Sequence, residues 1–252
     1  MNRALLLALL LLLPSATWAE RLVLSVSQPE VLIASNFTGA DLVLFGVVEG
    51  RPPGEHAYDF AVTVRGPQET FVTWRKSRVL GLYVNTDSRT FVDSPAVLAV
   101  ATNKPAEEIA PPDVLRREQI GITRNIFVQR VGTDYADVVP DDPFRLAFLR
   151  IKKADGLYAE EPHGVTLLSP AVFRTSFRIP ASAPVGAYEV TVKLFEGGHL
   201  LASAVTSVTV RKDGYGQQLA AFAEQRGWLY GFGVALGALF VGLSANFLFR
   251  RD

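Results

Sequence analysis

From Trp228 to Phe249 the chain runs for 22 residues without a charge. At a rise of about 1.5 Å per residue, a helix of that length is roughly 33 Å long, enough to cross a hydrocarbon core of about 30 Å. Arg226 precedes the run, and Arg250 and Arg251 follow it. Trp228 and Tyr230 stand at its start, where amphipathic rings favour the headgroup level. The reading is a transmembrane helix over 228–249 with a cytoplasmic tail of 250–252 and no cytoplasmic domain. The rest of the chain then folds as a body hung on a bilayer.

The N-terminus carries a second apolar run with a different meaning. Arg3 gives a positive start, Ala4 to Leu13 is too short to span, Pro14 breaks it, and Thr17-Trp18-Ala19 offers a cleavage site before Glu20. This is the pattern of a secretory signal peptide over 1–19. Export of residues 20–225 and retention of Arg250 and Arg251 inside agree with the positive-inside rule. The expected localisation is the bacterial inner membrane, single pass, with a periplasmic N-terminal domain and a cytoplasmic C-terminus.

The formal charge of the whole chain is +0. Between residues 20 and 225 there are 21 basic and 24 acidic residues, so no basic field points to nucleic acid. There is no cysteine, which excludes disulfides, thiol redox chemistry, Fe–S clusters and Cys-based zinc sites. The exported fold therefore rests on apolar burial.

Residues 20–103 read as an N-terminal β-sandwich region. Leu22, Leu24 and Val26 alternate with Val23, Ser25 and Ser27, and Leu42 to Val48 is apolar on both faces, as in a central strand. Phe60, Val62 and Val64 alternate with Asp59, Thr63 and Arg65. Thr70 to Trp74, Val79 to Val84 and Val97 to Ala101 are further strands, separated by turns at Gly66-Pro67, Asn85 to Ser88 and Ser94-Pro95. Residues 104–160 read as a helical and loop insertion. Asp142 suits an N-cap and Pro143 a first turn, Phe144, Ala147, Phe148 and Ile151 share a face, and Gly156 suits the stop. On this reading Arg145, Lys152 and Lys153 stay in water.

Residues 161–212 return to strands as an immunoglobulin-like β region. Tyr188, Val190, Val192 and Leu194 point one way, and Glu196-Gly197-Gly198-His199 forms a hairpin turn. Residues 213–227 read as a juxtamembrane helix. The fold class expected is mainly β: one or more immunoglobulin-like antiparallel sandwich domains, a short helical insertion and a single C-terminal transmembrane helix. Whether 22–103 and 164–211 make two sandwiches or one interrupted sandwich is left open by the pattern.

Candidate chemistry is sparse. His56, His163 and His199 each sit beside turn residues, without the paired spacing of a metal site. Asp134, Asp137, Asp141 and Asp142 match no calcium-loop spacing and read as loop solvation and helix capping. Asn36-Phe37-Thr38 is a sequon by pattern only. There is no Gly-x-Ser-x-Gly elbow, His-Glu-x-x-His, Walker loop or dinucleotide fingerprint, so no catalytic, cofactor or metal residue is nominated and the chain reads as non-enzymatic. Two features favour interaction instead. Trp74, Arg75 and Lys76, continued by Ser77 and Arg78, place an aromatic and positive charges on one strand, either a charge-guarded edge or a partner-binding one. Gly233 and Gly237, with Ala238 and Gly242 and then Ala245, offer small residues for helix packing in the membrane, with a partner or by self-association.

The stretches Asn36 to Gly46, Val64-Arg65-Gly66-Pro67, Gly81 to Asn85, Glu107 to Pro112, Gly156-Leu157-Tyr158 and Pro184 to Tyr188, taken in order with the terminal span, resemble a family of alphaproteobacterial transmembrane proteins without an assigned function. The resemblance brings no catalytic residues and no cofactor. It implies a neighbourhood: such proteins are often encoded beside permeases of the TauE/SafE type, which resemble sulfite exporters. The expectation is an accessory subunit of a multi-span permease, one that moves sulfur-containing anions; the alternative is a membrane-tethered periplasmic module that binds a ligand or an envelope component.

Overall fold

A computed structural model describes residues 20–34, 37–50, 57–125, 128–131, 134–137, 141–212 and 222–249. The signal-peptide segment 1–19, the sequon Asn36, His56 and most of the juxtamembrane segment lie outside the described residues. The described chain is mainly β, with three sheets, short helices and one long apolar helix at its C-terminal end.

The first sheet has the order β1 (Arg21–Val26), β3 (Ala40–Glu49), β12 (Val172–Ile179), β11 (Val165–Ser169), all antiparallel. The second has the order β10 (Tyr158–Pro162), β7 (Leu98–Thr102), β4 (Asp59–Arg65), β13 (Gly186–Glu196), β14 (His199–Lys212), β2 (Glu30–Ile33). Its interior is antiparallel, but β10 joins β7 and β2 joins β14 in parallel. Early and late strands are therefore combined within both sheets: β3 pairs with β12, and β4 with β13. The open question is resolved in favour of one sandwich, interrupted in sequence by the insertion.

Leu42, Leu44, Phe60, Val62, Phe173, Ile179, Val190 and Val192 fill the space between these two sheets, each almost fully buried. The alternation of Tyr188, Val190, Val192 and Leu194 delivers all four to this core. A second core lies on the other face of the six-stranded sheet. There α1 (Ala106–Ile109), α2 (Pro112–Arg117), a 3-10 turn at Ile122–Arg124 and α3 (Pro143–Ala154) bury Leu98, Val100, Ile109, Leu115, Ile120, Phe148 and Phe195.

This double burial inverts two strand expectations. β4 is buried on both sides, although its sequence alternates with Asp59 and Thr63. The insertion covers those polar positions, and Asp59 is satisfied there by the Lys104 ammonium at 2.8 Å and the Asn103 side-chain amide at 3.1 Å. β3, apolar from Leu42 to Val48, is covered on one face only, with Phe45 and Val47 open to solvent.

α3 begins as expected: the Asp142 carboxylate accepts from the Phe144 amide at 2.8 Å, Pro143 occupies the first turn, and Gly156 follows the helix with φ of 69°. Its buried face is rotated from the one expected. Phe144, Arg145, Phe148, Leu149 and Lys152 face inward, and Ile151 is half-exposed. The face is set by what the helix meets. Phe148 stacks on Phe91 with centroids 4.8 Å apart, Arg145 donates to the Thr123 carbonyl, and Lys152 lies over the Phe71 ring.

Gly46 illustrates how tightly the sandwich closes. It pairs with Phe173 across the strands, and the Phe173 ring lies where a Cβ would be. Gly46→Ala is expected to destabilise the protein by about 1–3 kcal/mol through overpacking. Adding Phe173→Leu should make the second substitution cost less than it does alone. Thermal or urea unfolding of the single and double variants reads this out; additive losses would show that the two do not share the space.

Candidate functional site

The third sheet has the order β5 (Gln68–Val79), β6 (Leu82–Pro95), β8 (Val128–Val131), β9 (Asp134–Asp137). β5 and β6 form one long hairpin whose turn is Leu80-Gly81. The sequence reading places a strand through Val79 to Val84 and a break at Asn85 to Ser88. The structure puts the turn inside the first and only a bulge near the second, where Arg75 faces Asp87 and Lys76 faces Asn85. Leu80 and Gly81 have φ of 51° and 88°. Positive values at both positions fit a two-residue turn matched to strand twist, and Gly81 was the signal for it.

The base of the hairpin is fixed and its end is not. Phe71 and Phe91 pair across the strands, Phe91 is fully buried, and both contact Phe148 of α3. The guanidinium carbons of Arg75 and Arg89 sit 5.6 and 4.8 Å from the Phe144 ring centroid. Beyond that clamp, Leu80 is 99% exposed, Tyr83 73% and Leu82 71%. Opposed residues in an antiparallel pair share a face. Val79, Leu82 and Val84 thus lie on one face with Ser77, and Trp74, Lys76, Arg78 and Tyr83 on the other. Ser77 and Thr86 are joined by a 2.9 Å hydroxyl contact.

Trp74, Arg75 and Lys76 lie on β5, the edge strand of this sheet, and all three are exposed. Arg75 reaches Asp87 at 3.4 Å in a solvent-exposed pair of small energetic weight. The sequence reading found these residues but missed the apolar turn they lead to.

Clefts open elsewhere among the described residues. One, of about 240 Å³, lies between β4, β7, β10 and β12, with Glu161 and Arg178 among its lining residues. A larger one, of about 540 Å³, mixes polar and apolar lining and lies beside Arg65, Asp93, Gln119, Asn125 and Glu189. Arg65 donates to Gln119 Oε1 at 2.6 Å and to Asn125 Oδ1 at 3.1 Å. Glu118, next to this cleft, accepts from Lys193 at 2.9 Å, and that hydrogen bond holds its carboxyl below the usual carboxylate range.

The histidines and aspartates stay apart. His163 Nδ1 lies 3.2 Å from the Asn103 carbonyl, and His199 opens β14 at the hairpin turn. Asp134 and Asp137 belong to β9 and Asp142 caps α3. Among the described residues, no group of three His, Asp or Glu side chains is placed to hold a metal.

The long helix α4 (Gly227–Phe249) has an apolar segment at Gly227–Asn246 long enough to cross a membrane. On a continuous helix each residue turns about 100°. Gly233 and Gly237 are then neighbours, but Gly242 lies about 140° from Gly237. Gly242 belongs to a longer line of small residues: Gly227, Gly231, Ala235, Ala238, Gly242 and Ala245, spaced by four or three. The three glycines singled out by sequence therefore sit on two faces. A Cβ added at Gly231, Gly233, Gly237 or Gly242 meets nothing within 4 Å.

Among the described residues, one apolar helix of membrane-crossing length joins a β-rich body, the arrangement of a single-pass membrane protein. The chain belongs to the family described as "Putative transmembrane protein (Alph_Pro_TM)", which it matches over residues 21–251. No curated protein matches it. Among solved structures, it is similar to the N-terminal domain of a Streptococcus gordonii adhesin at 11% identity and a TM-score of 0.26, covering 76% of this chain and 32% of that one. The chain thus spans about a third of that structure's length.

Lys152 ties the insertion to the hairpin. Its ammonium is buried, lies 3.5 Å from the Phe71 centroid and donates to the Ala96 carbonyl at 3.4 Å. Burial holds its pKa below the ordinary lysine value of 10.5, with Glu69 and Asp155 opposing. The unfolded chain thus binds the proton more tightly, and stability rises with pH between the lowered value and 10.5. Lys152→Met is expected to be at least as stable as the parent at neutral pH, with the difference narrowing as pH rises through that window. Urea unfolding across pH checks this; a difference that widens with pH would contradict the buried-cation account.

Proposed function

We propose that the protein is a non-enzymatic accessory subunit of the bacterial inner membrane. Its β-rich domain stands in the periplasm, its C-terminus is cytoplasmic, and its span packs against a multi-span permease of the TauE/SafE type that moves sulfur-containing anions. The observation that carries this reading is the helix α4. Its small residues leave room for another backbone to approach along the line from Gly227 to Ala245, with a second, shorter line at Gly233 and Gly237. In lipid, where apolar surface gives no drive to associate, such close approach is what holds helices together. Self-association uses the same surface. The orientation is supported by the apolar N-terminal run and by Arg250 and Arg251.

The second reading is a tethered periplasmic binding module. The cleft beside Arg65 favours it: the guanidinium is held by two amide oxygens, and Asp93 and Glu189 share the lining. One cation beside two carboxylates suits a polar solute that carries its own donors.

One experiment separates the two. The full-length protein is crosslinked in its native membrane, purified in mild detergent, and its companions identified by mass spectrometry. The accessory reading expects a multi-span permease, retained by the parent and reduced about tenfold or more by Gly231→Leu with Gly242→Leu. Gly233→Leu with Gly237→Leu tests the other face. Unchanged recovery in both double variants would sink docking through the span, and recovery of the protein alone would favour the tethered module.

A further inference from the structure

The β5–β6 hairpin ends in a group of residues that water does not favour. Leu80 is almost completely exposed at the tip and holds a left-handed backbone, a conformation that an Asn, Asp or Gly accepts more readily than a leucine. Val79, Leu82 and Val84 add exposed apolar surface beside it. From Val72 to Thr86 the chain has three cations, Arg75, Lys76 and Arg78, and no carboxylate. Arg78 pairs with Tyr83 one step behind the Val79–Leu82 pair that flanks the turn, and Lys76 with Asn85 three steps behind it. Trp74 lies further up the same face.

An apolar end followed by a collar of cations and aromatic rings matches the depth profile of a bilayer surface. Apolar groups enter about 5–10 Å, rings favour the headgroup level, and lysine and arginine reach anionic phosphates. At about 3.3 Å per residue, Val79, Leu80 and Leu82 occupy that first layer and Arg78 and Tyr83 its boundary.

The chain also carries its own reason to be near lipid. Fourteen residues separate Lys212, the end of β14, from Gly227, the start of α4. Even fully stretched they span no more than about 50 Å. The hairpin extends roughly 30 Å from its buried Phe71–Phe91 pair to its tip. The tether thus keeps the arm at a high local concentration near the membrane, where a weak insertion suffices.

We infer that the β5–β6 hairpin tip, centred on Leu80, inserts into the leaflet of an anionic bilayer beside the chain's own span, with Lys76 and Arg78 on the lipid phosphates. The insertion gives the domain a second point of attachment and fixes its orientation to the membrane. It needs the tether and does not depend on whether the span packs against a permease.

The chain has no cysteine, so one introduced cysteine is a unique label site. Full-length Tyr83→Cys carrying an environment-sensitive fluorophore is reconstituted into vesicles of phosphatidylcholine, with and without phosphatidylglycerol, containing lipid-borne spin-label quenchers. The expected result is blue-shifted, quenched emission that is stronger with phosphatidylglycerol. Leu80→Asp in that background should lower the ratio of inserted to free tip about tenfold. Lys76→Gln and Arg78→Gln should each lower it about fivefold on the anionic vesicles. Water-like, unquenched emission on both compositions overturns the inference, as does quenching that none of these substitutions reduces. A blue shift that appears only when other membrane proteins are added also overturns it and assigns the tip to a protein surface.

Discussion

The structure depends on the central strands of the six-stranded sheet, β7, β4 and much of β13, being buried on both faces. A sheet in a simple sandwich has one wet side, which tolerates polar residues freely. Here the insertion covers that side of the central strands, so the polar groups beneath it need partners. Asp59 has Lys104 and Asn103, and Lys193 has the Glu118 carboxylate and carbonyl. Tyr158 donates to the Pro95 carbonyl at 2.7 Å, and burial pushes its phenol well above the usual range. These bonds tie 104–160 to strands far away in sequence. The insertion is therefore part of the core rather than an appendage.

That second core also fixes the hairpin. Phe148 of α3 touches Phe71, Phe91 and Tyr158, bringing β5, β6 and β10 onto one helix face. Lys152 and the two arginines over Phe144 extend the clamp with cation–π contacts. A two-stranded ribbon alone is marginal in water. Held at its base by this cluster and widened by β8 and β9, the third sheet can carry an exposed end that would otherwise have little to stabilise it.

Much of the architecture was legible in the sequence, and the failures share a cause. The alternation of Tyr188 to Leu194, the Gly197-Gly198 turn, the Asp142 cap and the terminal apolar run each express a local rule, and each appears in the structure. Strand alternation assumes one wet face, so it misjudged β4, whose second face is covered by residues some fifty positions away. It equally misjudged β3, where Phe45 and Val47 stay exposed. On α3 the apolar pattern nominated Ile151, whereas the Thr123 carbonyl drew in Arg145 and the Phe71 ring drew in Lys152. The tip was missed because Leu80-Gly81 is a poor match to the usual Asn-Gly turn and reads as strand. In the span, sequence spacing found small pairs, but only the helical angle separates Gly242 from Gly233 and Gly237. Trp74, Arg75 and Lys76 were visible as a group, while the apolar end beyond them became meaningful only once the hairpin was placed.

Backbone hydrogen exchange on the full-length protein, compared between detergent and an anionic bilayer, tests the central claim most directly. The account predicts slow exchange shared by β4, β7, β13 and α3 in both media, as one cooperative unit. It also predicts that amides around 79–84 gain protection only in the bilayer. Independent opening of 104–160, or a hairpin end equally unprotected in both media, would contradict it.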